Sequence, residues 1–305
     1  MSATPPESPN SWFRTAQDAV YVEHLLNLYF AWHHPFYAVF SVPHFRSDMR
    51  KGRNRYCSSM LLNAALAMAC NYSDRAPSDV DLSQLSRLGD SYFAEAKELV
   101  DRNDEASLTT VQTLAIMSLR ELSCGRDSNS YRYSGRAMRM AIEMNLHMAA
   151  SAEGSTELGH IDNEMAKLTF WGVYNVEMSC ALSMGRVPQI QSVSINVDKP
   201  ANIDKLDSLI WQPYEDINVA ASPNAQHAMQ CLHFVKQLSE LSQLVNELNL
   251  ALYAPGEMFT PGKLQSAHAR YQAWYQNMPE MFHLQNTGMP HVIVLHIYYH
   301  SCLMQ

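Results

Sequence analysis

With 305 residues, 47% of them hydrophobic and 17% charged, the chain carries enough apolar material for a sizeable core and is not an intrinsically disordered polypeptide. A net charge of −8 and a pI near 5.9 exclude a basic footprint over the chain as a whole, and phosphate neutralisation supplies most of the affinity of dedicated nucleic-acid binders. Only 11 glycines stand against 18 methionines, which favours long helices over turn-rich sheets.

Residues 1–17, rich in Pro and Ser and without an apolar run, read as a disordered leader and not as a signal peptide. Asp18 to Trp32 reads as the first helix, stopped at His33-His34-Pro35 because a residue before Pro is driven out of the α region. PFYAVFSVPHF is expected to be a loop packed on the core. The polar stretch FRSDMRKGRNR follows, with Arg46, Arg50, Lys51, Arg53 and Arg55 against Asp48. It could act as an import signal or contact phosphates, but a solvated loop is the preferred reading.

Tyr56 to Tyr72 is apolar nearly all round, as a buried helix should be. Gln84 to Arg102 is amphipathic, and Ser107 offers an N-cap to the next helix. From there apolar residues recur at three and four: Val111, Leu114, Ala115, Met117 and Leu122; then, after Gly125, Ala137, Met140, Ala141, Met144 and Leu146 within a helix over Asp127–His147. A polar joint, Gly154 to Gly159, precedes a helix carrying Met165, Leu168, Trp171, Tyr174, Met178 and Leu182. On the middle of these, Arg132, Arg136 and Arg139 share a face. Arg139, lying among Met138, Met140 and Ala141, is expected to form a structural ion pair with Glu177.

Residues 187–222, holding Pro188, Pro200 and Pro213, read as one long extended connection and a subdomain boundary. Ser222-Pro223 is a good helix start. The helix expected from Pro223 to Tyr253 has an a/d seam of Phe234, Leu238, Leu241, Val245, Leu248 and Leu252; at three heptads it suits an intrachain bundle better than a dimer zipper. Thr260-Pro261 starts a further helix that Pro279 stops. The last segment, HVIVLHIYYHSCLMQ, is an apolar helix without cap or polar tail, as in a domain cut short. Residues 56–73 and 287–305 are uncharged, but their Asn, Ser, His, Gly and Pro content suits buried soluble helices and not membrane spans.

Chemistry is sparse. The six cysteines, at 57, 70, 124, 180, 231 and 302, are at least thirteen residues apart and lack zinc-cluster spacing, so structural thiols are expected. His296 and His300 are four apart on a helix, a spacing a metal could use, but no carboxylate lies nearby in sequence. Asp101, Asp104 and Glu105 read as solvated surface. No catalytic residue, cofactor-binding residue or metal ligand is assigned, and no enzyme activity is expected. A helical enzyme with an apolar pocket of Trp171, Tyr174 and Met178 stands as the weaker alternative, opposed by the lack of any acid, base or nucleophile at a productive spacing.

The run SLTTVQTLAIMSLRELSCGRDSNSYRYSGRAMRMAIEMNLH, followed by FWGVYNVEMSCALSMGRVPQI, resembles the middle homology region of fungal zinc-cluster transcription factors. The shared features are Gly135, Ala137, Arg139, Met140 and Ala141 leading to Leu146-His147, and Phe170-Trp171 leading to Gly185-Arg186 and Pro188. The upstream LYFAWHHPFYAVFSVPHF, YCSSMLLNAALAMAC and LGDSYFAEAKELV resemble the family's opening helices. Where the family usually carries Asp this chain has Glu177, and Val187 is inserted in the Gly-Arg-Pro turn. The resemblance implies an all-α irregular multi-helix array: a regulatory domain over 18–200 and the C-terminal part of the same domain, cut short, over 201–305. It implies a nuclear regulator of RNA polymerase II transcription, acting through protein partners or as a homodimer, with a small-molecule effector as a further partner. The family's two-zinc, six-cysteine DNA-binding module is absent from the chain, so DNA recognition would come from a missing part or a partner. A stand-alone protein that titrates a full-length regulator through the 223–253 helix is the remaining alternative.

Overall fold

The computed structural model describes residues 19–74, 85–103, 105–149, 157–201, 210–211, 227–228, 230–254, 256 and 260–304. Among these the chain is an array of ten α-helices with one two-stranded ladder. Helix α1 (Ala19–Leu28) widens into a π turn, Tyr29–His33, in which His34 N–H donates to the Tyr29 carbonyl at 2.9 Å. The widening falls where Pro35 forbids another regular turn.

Helix α2 (Val42–Lys51) corrects two expectations. Pro43 sits in its first turn, where its missing N–H costs nothing, so it starts a helix instead of holding a loop. The basic stretch is therefore helical as far as Lys51. Arg46 pairs with Glu23 at 2.5 Å, donates to Asn27 at 2.7 Å and lies over the Phe30 ring, and Arg55 pairs with Asp162. Buried Asp48 accepts from the Tyr56 N–H at 2.9 Å and folds the chain back toward α3 (Ser59–Ala69).

Three helices form the centre. In α3 every residue from Met60 to Ala69 is buried, and Ser58 caps it by accepting from the Leu61 N–H. In α5 (Leu108–Ser123) every residue from Thr109 to Glu121 is buried, with Ser107 as the N-cap. The longest helix, α7 (Glu157–Met184), passes through the middle with Phe170, Trp171 and Tyr174 within 2% of full burial. Gly172 is needed there: a Cβ would stand 2.5 Å from the Ala38 carbonyl oxygen, where the chain after the π turn crosses α7. Helix α4 (Leu85–Arg102) covers α3, and α6 (Asp127–Glu143) packs between α5 and α7. The helix expected to run to His147 ends at Glu143, because Asn145 turns the backbone left-handed (φ 57°) and the Leu146 N–H returns to the Ala141 carbonyl.

The expected joint at Gly154 lies outside the described residues, and Gly159 is already in α7. Beyond 201 the connection is described only at Ile210–Trp211, which pairs antiparallel with His227–Ala228. The Trp211 indole N–H donates to the Ala31 carbonyl at 2.8 Å. Ser222-Pro223 lies outside the described residues. The helix expected from there, α8 (Cys231–Tyr253), starts later because 227–228 are extended and Gln230 is left-handed (φ 48°). Its seam faces inward, with Phe234, Leu238, Leu241 and Val245 fully buried, as an intrachain helix requires. A thinner layer of α9 (Pro261–Gln276) and α10 (Pro290–Leu303) covers it. No helix among the described residues is long and apolar enough to cross a membrane.

Candidate functional site

After α7 the segment 185–201 runs as a strap across α7 and α8, extended except for a 3-10 turn at Ser192–Ser194, and is held by buried side chains at short intervals. Asn249 of α8 donates to the Arg186 carbonyl at 3.3 Å. Glu177 of α7 accepts from the Gln189 N–H at 2.8 Å. Asn246 grips the strap twice: its Nδ2 donates to the Ile190 carbonyl at 2.7 Å and its Oδ1 accepts from the Ser192 N–H at 3.2 Å. Further along, the Trp171 indole donates to the Asp198 carbonyl at 3.1 Å, the Lys199 ammonium lies 4.7 Å over the Trp171 ring, and Glu164 accepts from the Ala201 N–H at 3.0 Å. An extended backbone has no ladder of its own, so these groups supply the partners that its amides and carbonyls would otherwise lack.

Arg139 and Glu177 do not meet as the expected direct ion pair. Gln189 stands between them: the Arg139 guanidinium donates to its side-chain oxygen at 3.1 Å while Glu177 takes its backbone N–H. Gly135, one turn before Arg139, makes room for this, since a Cβ would lie 2.4 Å from Gln189 Nε2. Glu177 is 1% exposed, its Oε2 has no hydrogen-bond partner, and burial pushes its carboxyl up to about 7 against the relief given by the Gln189 N–H. Of the neighbouring arginines, Arg136 approaches Asp101 at 3.6 Å on the surface and Arg132 is exposed.

The other candidates resolve as structure. His296 is buried, its ring nitrogens 3.1 Å from the Tyr275 hydroxyl and 2.9 Å from the Phe282 carbonyl, while His300 is exposed. Among the described residues no group of three or more His, Cys, Asp or Glu could hold a metal. The cysteines do not fit a zinc cluster either: five are buried on separate parts of the array, and Cys124 is exposed. Trp171, Tyr174 and Met178 are buried in the core. Asp101 and Glu105 are exposed, and Asp104 lies outside the described residues. The burial of the α8 seam also leaves that face unavailable to a titrated regulator.

Sequence reading overlooked Gln189, Asn246 and Asn249. Two Asn residues three apart on the α8 face next to an apolar seam were the available sign, because a buried amide needs a specific partner.

A buried polar clamp that fixes the path of the chain suits a scaffold that holds a conformation. Residues 26–281 match the family described as the fungal specific transcription factor domain. The chain belongs to that family. It is similar to the nitrogen assimilation transcription factor nirA of Emericella nidulans, 30% identical over 97% of this chain and 34% of that protein. It is likewise similar to the nitrogen assimilation transcription factor nit-4 of Neurospora crassa, 31% identical over 96% of this chain and 28% of that protein. The activatory protein CHA4 of Saccharomyces cerevisiae is 23% identical over 76% of this chain and 37% of its own length. The chain thus spans about a third of the length of the curated relatives it matches. No solved structure matches it. The family-derived expectation of an all-α multi-helix array agrees with the described fold.

Proposed function

We propose that this chain is the non-enzymatic regulatory region of a nuclear transcription regulator, working through protein partners or a second copy. DNA is read through a zinc-binding module outside residues 1–305. The match over 26–281 carries the reading. The two relatives named for nitrogen assimilation cover nearly the whole chain, so control of nitrogen-assimilation genes is the specific function proposed. The acidic balance of the chain supports assigning DNA contact elsewhere.

The test is a fusion of residues 1–305 to an unrelated DNA-binding domain, with its sites upstream of a reporter in a fungal host. Reporter output that changes with the nitrogen source supports the reading. Output identical to that of the DNA-binding domain alone, on every nitrogen source, rejects it. The purified chain should show no sequence-specific DNA binding at moderate salt.

A further inference from the structure

Helix α10 is apolar on both sides, and the fold covers only one of them. Val292, Leu295 and Tyr299 are buried on the side that meets α8 and α9. Down the helix axis Ile293, Val294, Ile297, His300, Ser301 and Met304 form the opposite stripe, about 120° wide at about 100° per residue. Ile297 at its centre is 60% exposed, and Ile293 and Val294 are 43% exposed. Six of the thirteen exposed large hydrophobics among the described residues fall between 281 and 304, so this surface is concentrated and not scattered singly. A helix that is apolar all round belongs in an interior.

The polar groups and the charge of the stripe suit it to being covered. Ser301 donates its hydroxyl to the Ile297 carbonyl at 2.9 Å, so covering it leaves no donor unpaired. His300 lies at the edge of the stripe, its ring beside those of Tyr299 and Tyr275, in the position of a solvated rim. From 281 to 305 the chain has no Asp, Glu, Lys or Arg, whereas every other described α-helix except the buried α3 carries at least one. This selects the partner. A net charge of −8 makes two copies repel each other over most of their surface. In a twofold contact the same patch meets itself, so a charged patch would face its own sign. The neutral stripe of α10 avoids that conflict. The regular seam of α8, by contrast, is buried within its own chain.

We propose that the outer stripe of α10 is a homodimer surface, packed against the same stripe of a second copy across a twofold axis near Ile297. The steps of four, three and four from Ile293 through Ile297 and His300 to Met304 are those of a helix-pair seam. A helix of 14 residues is about 21 Å long, so its face supplies less than the ~800 Å² per partner of a standard interface. The dimer is therefore weak, with a dissociation constant in the micromolar range. The inference rests on the second-copy mode of the proposed function and gives that mode its surface.

The test is sedimentation of the full chain from about 1 to about 200 µM, concentrations that bracket a weak association. The mass should rise from that of one chain, 34.6 kDa, toward a plateau at two. Ile297→Asp sets two carboxylates against each other and should raise the dissociation constant at least about tenfold. Val193→Asp, at an exposed apolar site on the strap, should change it less than about twofold. Raising salt from about 0.05 to about 0.5 M should strengthen the dimer, because the contact is neutral and the bodies around it are like-charged. A one-chain mass at every concentration, growth past two chains without a plateau, equal weakening by Val193→Asp, or dissociation by salt overturns the proposal. If Ile297→Asp fails to fold, Val294→Asp replaces it, and a dimer that this substitution leaves intact rejects the surface. A monomeric chain whose fusion still drives nitrogen-dependent reporter output would reject the surface while the transcriptional reading stands. A dimer lost on Ile297→Asp with a silent fusion supports the surface and rejects that reading.

Discussion

The centre of the molecule and its C-terminal layer are built from helices of opposite character. Every residue from Thr109 to Glu121 of α5 is buried, whereas α9, also 16 residues long, buries only Tyr271. Helix α10 has an inner face of Val292, Leu295 and Tyr299 and an outer face on which Ile293, Val294 and Ile297 are 43–60% exposed. Apolar burial is the dominant favourable term in folding, so the stability of the array resides in α3, α5 and α7. The C-terminal layer is held by fewer contacts, chiefly an aromatic cluster in which Tyr275 stacks on Tyr299 at 4.4 Å with Trp274 beside it. Helices of equal length thus differ in how far their loss would propagate, and substitutions in the two regions measure that difference.

The largest effect is expected at Trp171. Truncation to Ala empties a core site, removes the indole donor to Asp198 and the face under Lys199, and should cost about 3–5 kcal/mol in chemical denaturation. A loss below about 1 kcal/mol would place the stability of the array outside α7.

Next comes the polar flaw in the same centre. A glutamate ionises near 4.5 when unfolded, and burial moves Glu177 to about 7 in the native state. Between those values the unfolded state has released the proton and the native state still holds it, so stability falls as pH rises from 4.5 through 7. The interval corresponds to a loss of about 3 kcal/mol at most. Glu177→Gln should remove this slope, leaving Tm at pH 8 close to its value at pH 5 while the wild type melts lower at pH 8. Equal slopes in the two proteins would locate the titration elsewhere.

The two regions were not equally legible in the sequence. The helices of the centre declared themselves through apolar residues at three and four, and Ser107 acted as the cap it appeared to be. Pro43 misled because proline both ends helices and starts them, and only the packing of Phe45 into the core decides between the two. The start of α8 was misplaced because Ser222-Pro223 is a local signal, while the ladder at 227–228 depends on partners at 210–211, earlier in the sequence. The strap was visible as a proline-rich connection, but its clamps were not. Whether Glu177 meets Arg139 or Gln189 depends on the path of a segment without periodicity, and the space at Gly135 is a tertiary property.

In the C-terminal layer, Tyr275→Leu keeps apolar bulk but removes the stack on Tyr299 and the hydroxyl contact to His296. The cost should be about 0.5–1.5 kcal/mol. It should also be local: faster hydrogen–deuterium exchange in α9 and α10 with unchanged exchange in α5. Equal acceleration in α5 would mean that the layer and the centre unfold as one unit.

The smallest effect is expected where the layer meets α8 at the surface. Arg270 forks onto Glu247, bridging α9 and α8 beside a groove floored by Leu248 and Tyr271. Both charged side chains are 40% or more exposed, so solvent and salt screen the pair despite its two-point geometry. Arg270→Ala should therefore change stability by less than about 1 kcal/mol in low salt, with the difference vanishing in about 1 M salt. Tyr271→Ala, which empties the one buried site on α9, should cost several times more and stay insensitive to salt. If the Arg270 substitution were the more damaging of the two, the outer layer would be held by charge at its rim, and its contrast with the apolar centre would be one of chemistry as well as of depth.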